Sequence, residues 1–271
     1  MKVLLVVGDG ARERAVAEHL ARELARRGHA VRVLIGARGD GEPRIDSDGT
    51  ALRLVRTDEA PGHWQRSRSL AVARLLRAWL RDEVPDVVHV LAWRGLTHDL
   101  VALAAEAGVR AVVTLSDPWF ACLVGDRVRR DTGGPCAEPL GPAPCLGCAE
   151  KEAGRTPWVP IEARFLAVAE RRRDALRELE LARRVLVADA AGVADARRAL
   201  SDGLERVRFA FVADPLDAAA HAALYESVAR EPAPEAAVKP PDWWVERMQT
   251  EAERAWDEAY RRAAGDARCT S

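Results

Sequence analysis

The chain has 271 residues, 48% of them hydrophobic and 31% charged, with 41 Lys plus Arg against 42 Asp plus Glu. That composition excludes a disordered, collagenous or fibrous protein, and the length suffices for one large domain or two small ones with a substantial core. A net charge of −1 supplies no long-range field favouring nucleic acid or an anionic membrane, and the scarcity of lysine (Lys2, Lys151, Lys239) beside abundant alanine reads as coding bias.

Residues 3–7 are a continuous apolar strand of the kind buried on both faces. After Gly8-Asp9-Gly10, Ala15, Val16, Leu20 and Leu24 recur at helical spacing as far as Arg27, where Gly28 stops the helix. Strands follow at 31–35 and 51–56, a helix at 70–81 ended by Pro85, a strand at 87–91, a helix at 100–107 ended by Gly108, and a strand at 111–115. From 116 to 160 the rhythm stops, in a stretch rich in proline and glycine that holds four of the five cysteines. A loop of that length implies a function or a staple. The pattern resumes with a charged helix at 161–181, a strand at 185–188, a helix at 191–200, a strand at 207–212 and a helix at 217–230. Residues 231–242, with four prolines, are a linker, and 243–264 an amphipathic C-terminal helix packing back on the domain. Strands alternating with crossover helices predict an α/β fold, a single Rossmann-like, doubly wound parallel sheet over residues 1–230.

No stretch approaches the roughly 18 apolar residues of a membrane span. The run at 3–7 is too short for a secretion signal and meets no cleavage site. A cytoplasmic protein is expected, in which cysteines serve metal binding, catalysis or inert burial before disulfides.

Several segments carry more specific information. Strand one runs into Gly8-Asp9-Gly10-Ala11-Arg12-Glu13-Arg14, and the first helix leaves through Arg27-Gly28-His29-Ala30-Val31. Pro85-Asp86-Val87-Val88-His89 enters the strand at 87, Thr114-Leu115-Ser116-Asp117-Pro118-Trp119 leaves the strand at 111, and Val207 to Asp217 follows the last helix–strand unit. In this order and spacing they resemble the N-terminal, acceptor-binding half of family 4 glycosyltransferases, retaining enzymes with two facing Rossmann-like domains, the GT-B fold. The spacing of Cys136, Cys145 and Cys148 recurs in the same branch.

The resemblance implies a glycan or small-molecule acceptor at the C-terminal ends of the strands, touched by Gly8, Gly10, Glu13, His98, Ser116 and Asp117, with Asp117 and His98 the catalytic candidates. It also implies a second domain of roughly 150 residues for the nucleotide-sugar. Only 54 residues follow Asp217. The donor half is therefore expected on a separate protein subunit; the alternative is a catalytically inactive relative that binds a glycan or a protein. Ser116 stands where the family carries histidine, and serine has no group titrating near neutrality to act as a base.

Read from the residues alone, Gly8-Asp9-Gly10 is either a tight turn or a set of backbone N–H groups for an anion or hydroxyl. Glu13 and the absence of an acid after strand two argue against a dinucleotide. Asp117 either accepts from a sugar hydroxyl or caps the turn at Pro118. His89, on a strand buried on both faces, reads as structural, and His98 as the more exposed candidate. Cys122, Cys136, Cys145 and Cys148 suit a closed tetrahedral zinc site, with Cys145-Leu146-Gly147-Cys148 as a tight-turn knuckle; an iron–sulfur cluster, disulfides or free thiols are the alternatives. Cys269 reads as an unpaired tail thiol. The interleaved charges of the helix at 161–181 read as a solvated, self-paired face.

Overall fold

Segments too apolar to keep a wet face are satisfied only as internal strands covered on both sides. In the computed structural model, which describes residues 1–8, 10–37, 44–45, 51–56, 69–116, 118, 122–153, 161–200 and 203–234, the apolar runs form one sheet. Lys2–Val7 (β1), Ala30–Ala37 (β2), Ala51–Arg56 (β4), Val87–Val90 (β5), Arg110–Thr114 (β6), Arg184–Val187 (β7) and Phe209–Phe211 (β8) are parallel, in the order β4-β2-β1-β5-β6-β7-β8. The two-residue Arg44–Ile45 (β3), which periodicity does not reveal, is antiparallel at the β4 edge. The expected doubly wound α/β sheet is present.

The period-2 alternation of β1 sorts its side chains between two layers. Val3, Leu5 and Val7 meet Ala17, Leu20 and Leu24 of Ala11–Arg26 (α1), and the same layer holds Ala222, Tyr225 and Val228 of Ala218–Ala229 (α7). Leu4 and Val6 belong to the opposite layer with Leu76 of Leu70–Glu83 (α2), Leu103 of Leu100–Glu106 (α3), Leu179 of Ile161–Leu181 (α5) and Leu200 of Ala190–Leu200 (α6). The crossover from β1 to β2 uses one face and that from β4 to β5 the other. Strand order therefore reverses between β1 and β5, the point at which open α/β sheets form their crevice.

Both glycines expected to stop helices are left-handed, Gly28 at φ 84° and Gly108 at φ 72°. At the end of α2 it is Val84 that takes this conformation, φ 45°, with its N–H donating to Leu80 O at 3.2 Å. A β-branched residue there is strained.

Within the stretch from 116 to 160, the described residues 122–153 are more ordered than their composition suggests. Pro142–Ala153 is a helix (α4), its prolines standing in the first turn, where the missing N–H leaves no helical bond unmade. Val128 and Pro135 form a β-bridge, and Leu123, Leu140 and Leu146 are buried in the main core. Leu140 N–H donates to Ala199 O at 2.6 Å, so apolar anchors and a backbone bond to α6 hold the segment.

α5 also departs from expectation. Arg171, Asp174 and Glu178, at helical spacing, are buried rather than solvated. The Glu178 carboxylate accepts from Val101 N at 2.5 Å and Ala102 N at 3.0 Å, serving the otherwise unbonded first-turn N–H groups of α3 from another element. Burial raises its pKa well above the usual carboxylate value, against the pull of the Val101 N–H.

Past α7, the Glu231 carboxylate pairs with Arg184 at 2.7 Å and Arg208 at 3.4 Å, and its carbonyl accepts from Arg110 at 2.7 Å. This fixes the end of α7 to residues at or beside the starts of β6, β7 and β8. The expected helix at 243–264, most of the expected linker and Cys269 lie outside the described residues.

Replacing Glu178 with Leu removes the acceptor of two N–H groups at the start of α3. The loss should be about 2 kcal/mol or more in urea unfolding, against less than about 0.5 kcal/mol for the exposed Glu180→Ala. Equal effects would show that the tertiary cap contributes nothing.

Candidate functional site

The parallel strands end in a cavity of about 240 Å³. Arg12 and Glu13 enter it from the first turn of α1, Leu91 from beyond β5, Thr114, Leu115 and Ser116 from the end of β6, Val187 and Ala188 from β7, and Pro215 and His221 from the start of α7. The wall is apolar below and carries a guanidinium, a carboxylate, two hydroxyls and an imidazole.

Of the residues expected to contact an acceptor, Glu13 and Ser116 line this cavity. Gly8 does not. It is buried with its N–H donating to Ala92 O at 3.1 Å, and a Cβ there would lie 1.9 Å from Arg94 O. Its requirement is close passage of two backbones, which leaves no N–H for a ligand. Gly10 is the N-cap of α1 in extended conformation, and the Glu13 carboxylate folds back over it. His98 is buried at the start of α3 rather than exposed as expected, and does not line the cavity. Asp117 lies outside the described residues.

Beneath the cavity floor runs a buried polar chain. His89 of β5 is fully buried with both nitrogens engaged, Nδ1 with Tyr225 Oη at 2.5 Å and Nε2 with Thr114 Oγ1 at 2.7 Å. Tyr225 Oη continues to His221 Nδ1 at 3.4 Å, and among the described residues His221 Nε2 has no hydrogen-bond partner. Thr114 and His221, the two ends, both line the cavity. Burial depresses the His89 pKa well below its ordinary value, with His221 adding to the shift. Burial also lowers His221, against the Pro215 carbonyl and the carboxylates of Asp217 and Asp214. Tyr225 is pushed far above the usual phenol range. All three are neutral near pH 7. Sequence reasoning missed His221, although one signal was present: His221 and Tyr225 stand four apart in an alanine-rich helix, sharing a face with Ala218 and Ala222.

The four cysteines of the 116–160 stretch are free and half-buried. Cys145 and Cys148 stand three apart within α4 rather than in a knuckle turn. Cys145 Sγ accepts from Gly141 N at 3.5 Å. Burial raises this thiol, and Cys122, Cys136 and Cys148 are near enough to add to the shift. Cys136 and Cys148 also border a second cavity of about 540 Å³. Among the described residues, no three His, Cys, Asp or Glu side chains are set to hold a metal ion. No described helix is long and apolar enough to cross a membrane.

The sequence profile of the family described as glycosyl transferase 4-like domain matches residues 13–141, from the first turn of α1 to the start of α4. This part of the chain is similar to glycosyltransferase 4-like domains. Its match includes Glu13, His98 and Ser116 and stops short of His221. No curated protein shows significant sequence similarity to the chain. Among solved structures, a UDP-GlcNAc 2-epimerase from Neisseria meningitidis bound to UDP-GlcNAc matches 83% of this chain and 50% of its own, at 14% identity and TM-score 0.38. A variant of Os79 from O. sativa in complex with UDP matches 72% of this chain and 50% of its own, at 19% identity and TM-score 0.35. The chain spans about half the length of each.

The buried imidazoles give stability a pH dependence of defined sign. In the unfolded chain His89 titrates near its ordinary value of 6.5, whereas in the fold it stays neutral to lower pH. Below that value the unfolded chain binds more protons, so stability is full above about pH 6.5 and falls as pH is lowered through it. Urea unfolding at about pH 7 and pH 5.5 should show this fall, and a smaller one in His89→Asn; equal falls in the two proteins would show that His89 is not its source.

Proposed function

We propose that this chain is the acceptor-binding half of a retaining, nucleotide-sugar-dependent glycosyl transfer. The observation that carries the reading is the cavity at the C-terminal ends of β5, β6 and β7 beside the first turn of α1, with Glu13, Thr114, Ser116 and His221 set around apolar walls, in a chain whose residues 13–141 match the glycosyltransferase 4-like family. Sugars present this pattern, hydroxyls around a ring with apolar C–H faces. Glu13 accepts from acceptor hydroxyls, Ser116 orients them as donor or acceptor, and Asp117, next in the sequence, is the further candidate acceptor of a sugar hydroxyl. Arg12 supplies positive charge at the helix N-terminus, where an anionic group of the donor would lie. The nucleotide-sugar belongs on a second domain facing the crevice from outside residues 1–234. A glycan-binding role without transfer is the second reading. Ser116 favours it, because no imidazole stands at that rim position to take a proton.

Titration with methyl glycosides of glucose, mannose, galactose and N-acetylglucosamine, followed by amide NMR, tests the site. Shifts should concentrate at Leu115, Ser116 and Val187 for at least one glycoside, and Glu13→Ala should weaken that binding about tenfold or more. Shifts confined to other surfaces would refute the reading. Transfer to that glycoside only when a donor-binding domain and nucleotide-sugar are added separates the enzyme from the binding module.

In the same reading Cys122, Cys136, Cys145 and Cys148 hold a structural Zn²⁺. Four thiols would complete a tetrahedral set with no open position, and Cys145 lies within electrostatic reach of the other three, although among the described residues no three of these side chains are set around one point. The ion would cross-link α4 to the residues around Cys122 and Cys136. Elemental analysis should find about one zinc per chain, lost in Cys145→Ser, with chelation loosening 122–153 before the sheet melts. Metal-free protein whose four thiols all react rapidly would rule this out, and iron with sulfide would mean a cluster instead.

A further inference from the structure

We infer that His221 Nε2 is the hydroxyl-binding atom of the crevice, held in its working tautomer by Tyr225, His89 and Thr114, which act as positioning residues. The inference rests on the crevice being the acceptor site and adds the group that the rim lacks at Ser116.

A buried polar atom without a partner is uncommon, because leaving it unbonded forfeits the water it gave up. His221 is 98% buried, lines the cavity, has Nδ1 turned to Tyr225, and leaves Nε2 with no hydrogen-bond partner among the described residues. Fixing one ring nitrogen fixes what the other can do. An orphaned buried N–H is rarer than an orphaned acceptor, so with Nε2 unbonded the ring proton is assigned to Nδ1, which donates to Tyr225 Oη. The remaining hydrogens then have one order. Tyr225 O–H donates to His89 Nδ1, and His89 Nε2–H donates to Thr114 Oγ1, so every nitrogen of the two rings has one role. His221 Nε2 is left as an unmatched lone pair on a residue of the cavity wall, an acceptor for a sugar hydroxyl brought against it.

The neutrality of both rings supports this assignment, since an imidazolium would carry a proton on Nε2 and could not accept. The chain also explains why a phenol and a second histidine are buried beneath the floor. Removing Tyr225 Oη or His89 releases the His221 tautomer without touching the ligand itself.

The experiment uses the full chain with ¹⁵N-labelled histidine and the methyl glycoside that shifts the Ser116 amide most. In the wild type, His221 should show an unprotonated Nε2 and a protonated Nδ1, and glycoside should move the Nε2 resonance. Tyr225→Phe should mix the two tautomers and weaken binding about threefold to tenfold, and His221→Gln should weaken it at least tenfold. Unchanged tautomer signals in Tyr225→Phe, or glycoside affinity unchanged in His221→Gln while Ser116 still shifts, would overturn the assignment and leave the crevice reading intact. If no glycoside shifts Ser116 in the wild type, both fall together. Should His221→Gln fail to fold, the Tyr225→Phe spectrum and the Nε2 response of the wild type still decide.

Discussion

A histidine in the middle of a strand buried on both faces sets a strict condition on everything around it. His89 sits in a run of valines, and its ring can be there only if both nitrogens are bonded and the ring stays neutral. One partner comes from the adjacent strand, Thr114, and the other from a helix more than 130 residues away in sequence, Tyr225. That second bond fixes the rotation of α7 against β5, and with it the placement of His221 at the cavity wall. The arginines that grip Glu231 fix the far end of the same helix. The helix is thus positioned at both ends by polar contacts and along its length by Ala222, Tyr225 and Val228.

The start of α1 shows a related economy. Gly8 permits the exit of β1 to pass against the backbone at Arg94, and Gly10 leaves room for Glu13 to fold back over the N-cap. Together they bring the first turn of α1 to the crevice with Arg12 and Glu13 leading. The glycines act through chain geometry, whereas the chemistry falls to side chains two and three residues further on.

Much of the sheet was legible in the sequence, because strands such as Val3 to Val7 and Val87 to Val90 are continuous apolar runs and their crossovers end at Gly28 and Gly108. The rest was hidden for identifiable reasons. α4 is written with Pro142 and Pro144 in its first turn, residues that read as loop when their position relative to a helix start is unknown. β3 is too short for any period. On α5 the charges of Arg171, Asp174 and Glu178 suggested solvent, although their spacing coincides with that of Val168, Ala175 and Leu179, which are buried with them. Charge alone does not tell a wet face from a polar seam between helices. The site was legible in part: its place at the strand ends, Glu13 and Ser116. His221 was not, since a histidine among alanines acquires meaning only when the fold sets it opposite His89.

The histidine expected at the rim and the imidazole found at the wall bear on one another. Serine at 116 leaves the end of β6 with hydroxyls from Thr114 and Ser116 and no base of its own. The imidazole that lines the same cavity belongs to α7, beyond the segment that matches the glycosyltransferase 4-like domain. Because Thr114 is the strand-side terminus of the chain that leads through His89 and Tyr225 to His221, the two walls are not independent. A change in hydrogen-bond order at the β6 end reaches the α7 end through two bonds shorter than 3 Å and one longer contact. The long link, Tyr225 to His221, is the place where such coupling is weakest. It is therefore the place where a ligand hydroxyl, by pulling on Nε2, has most to gain from shortening it.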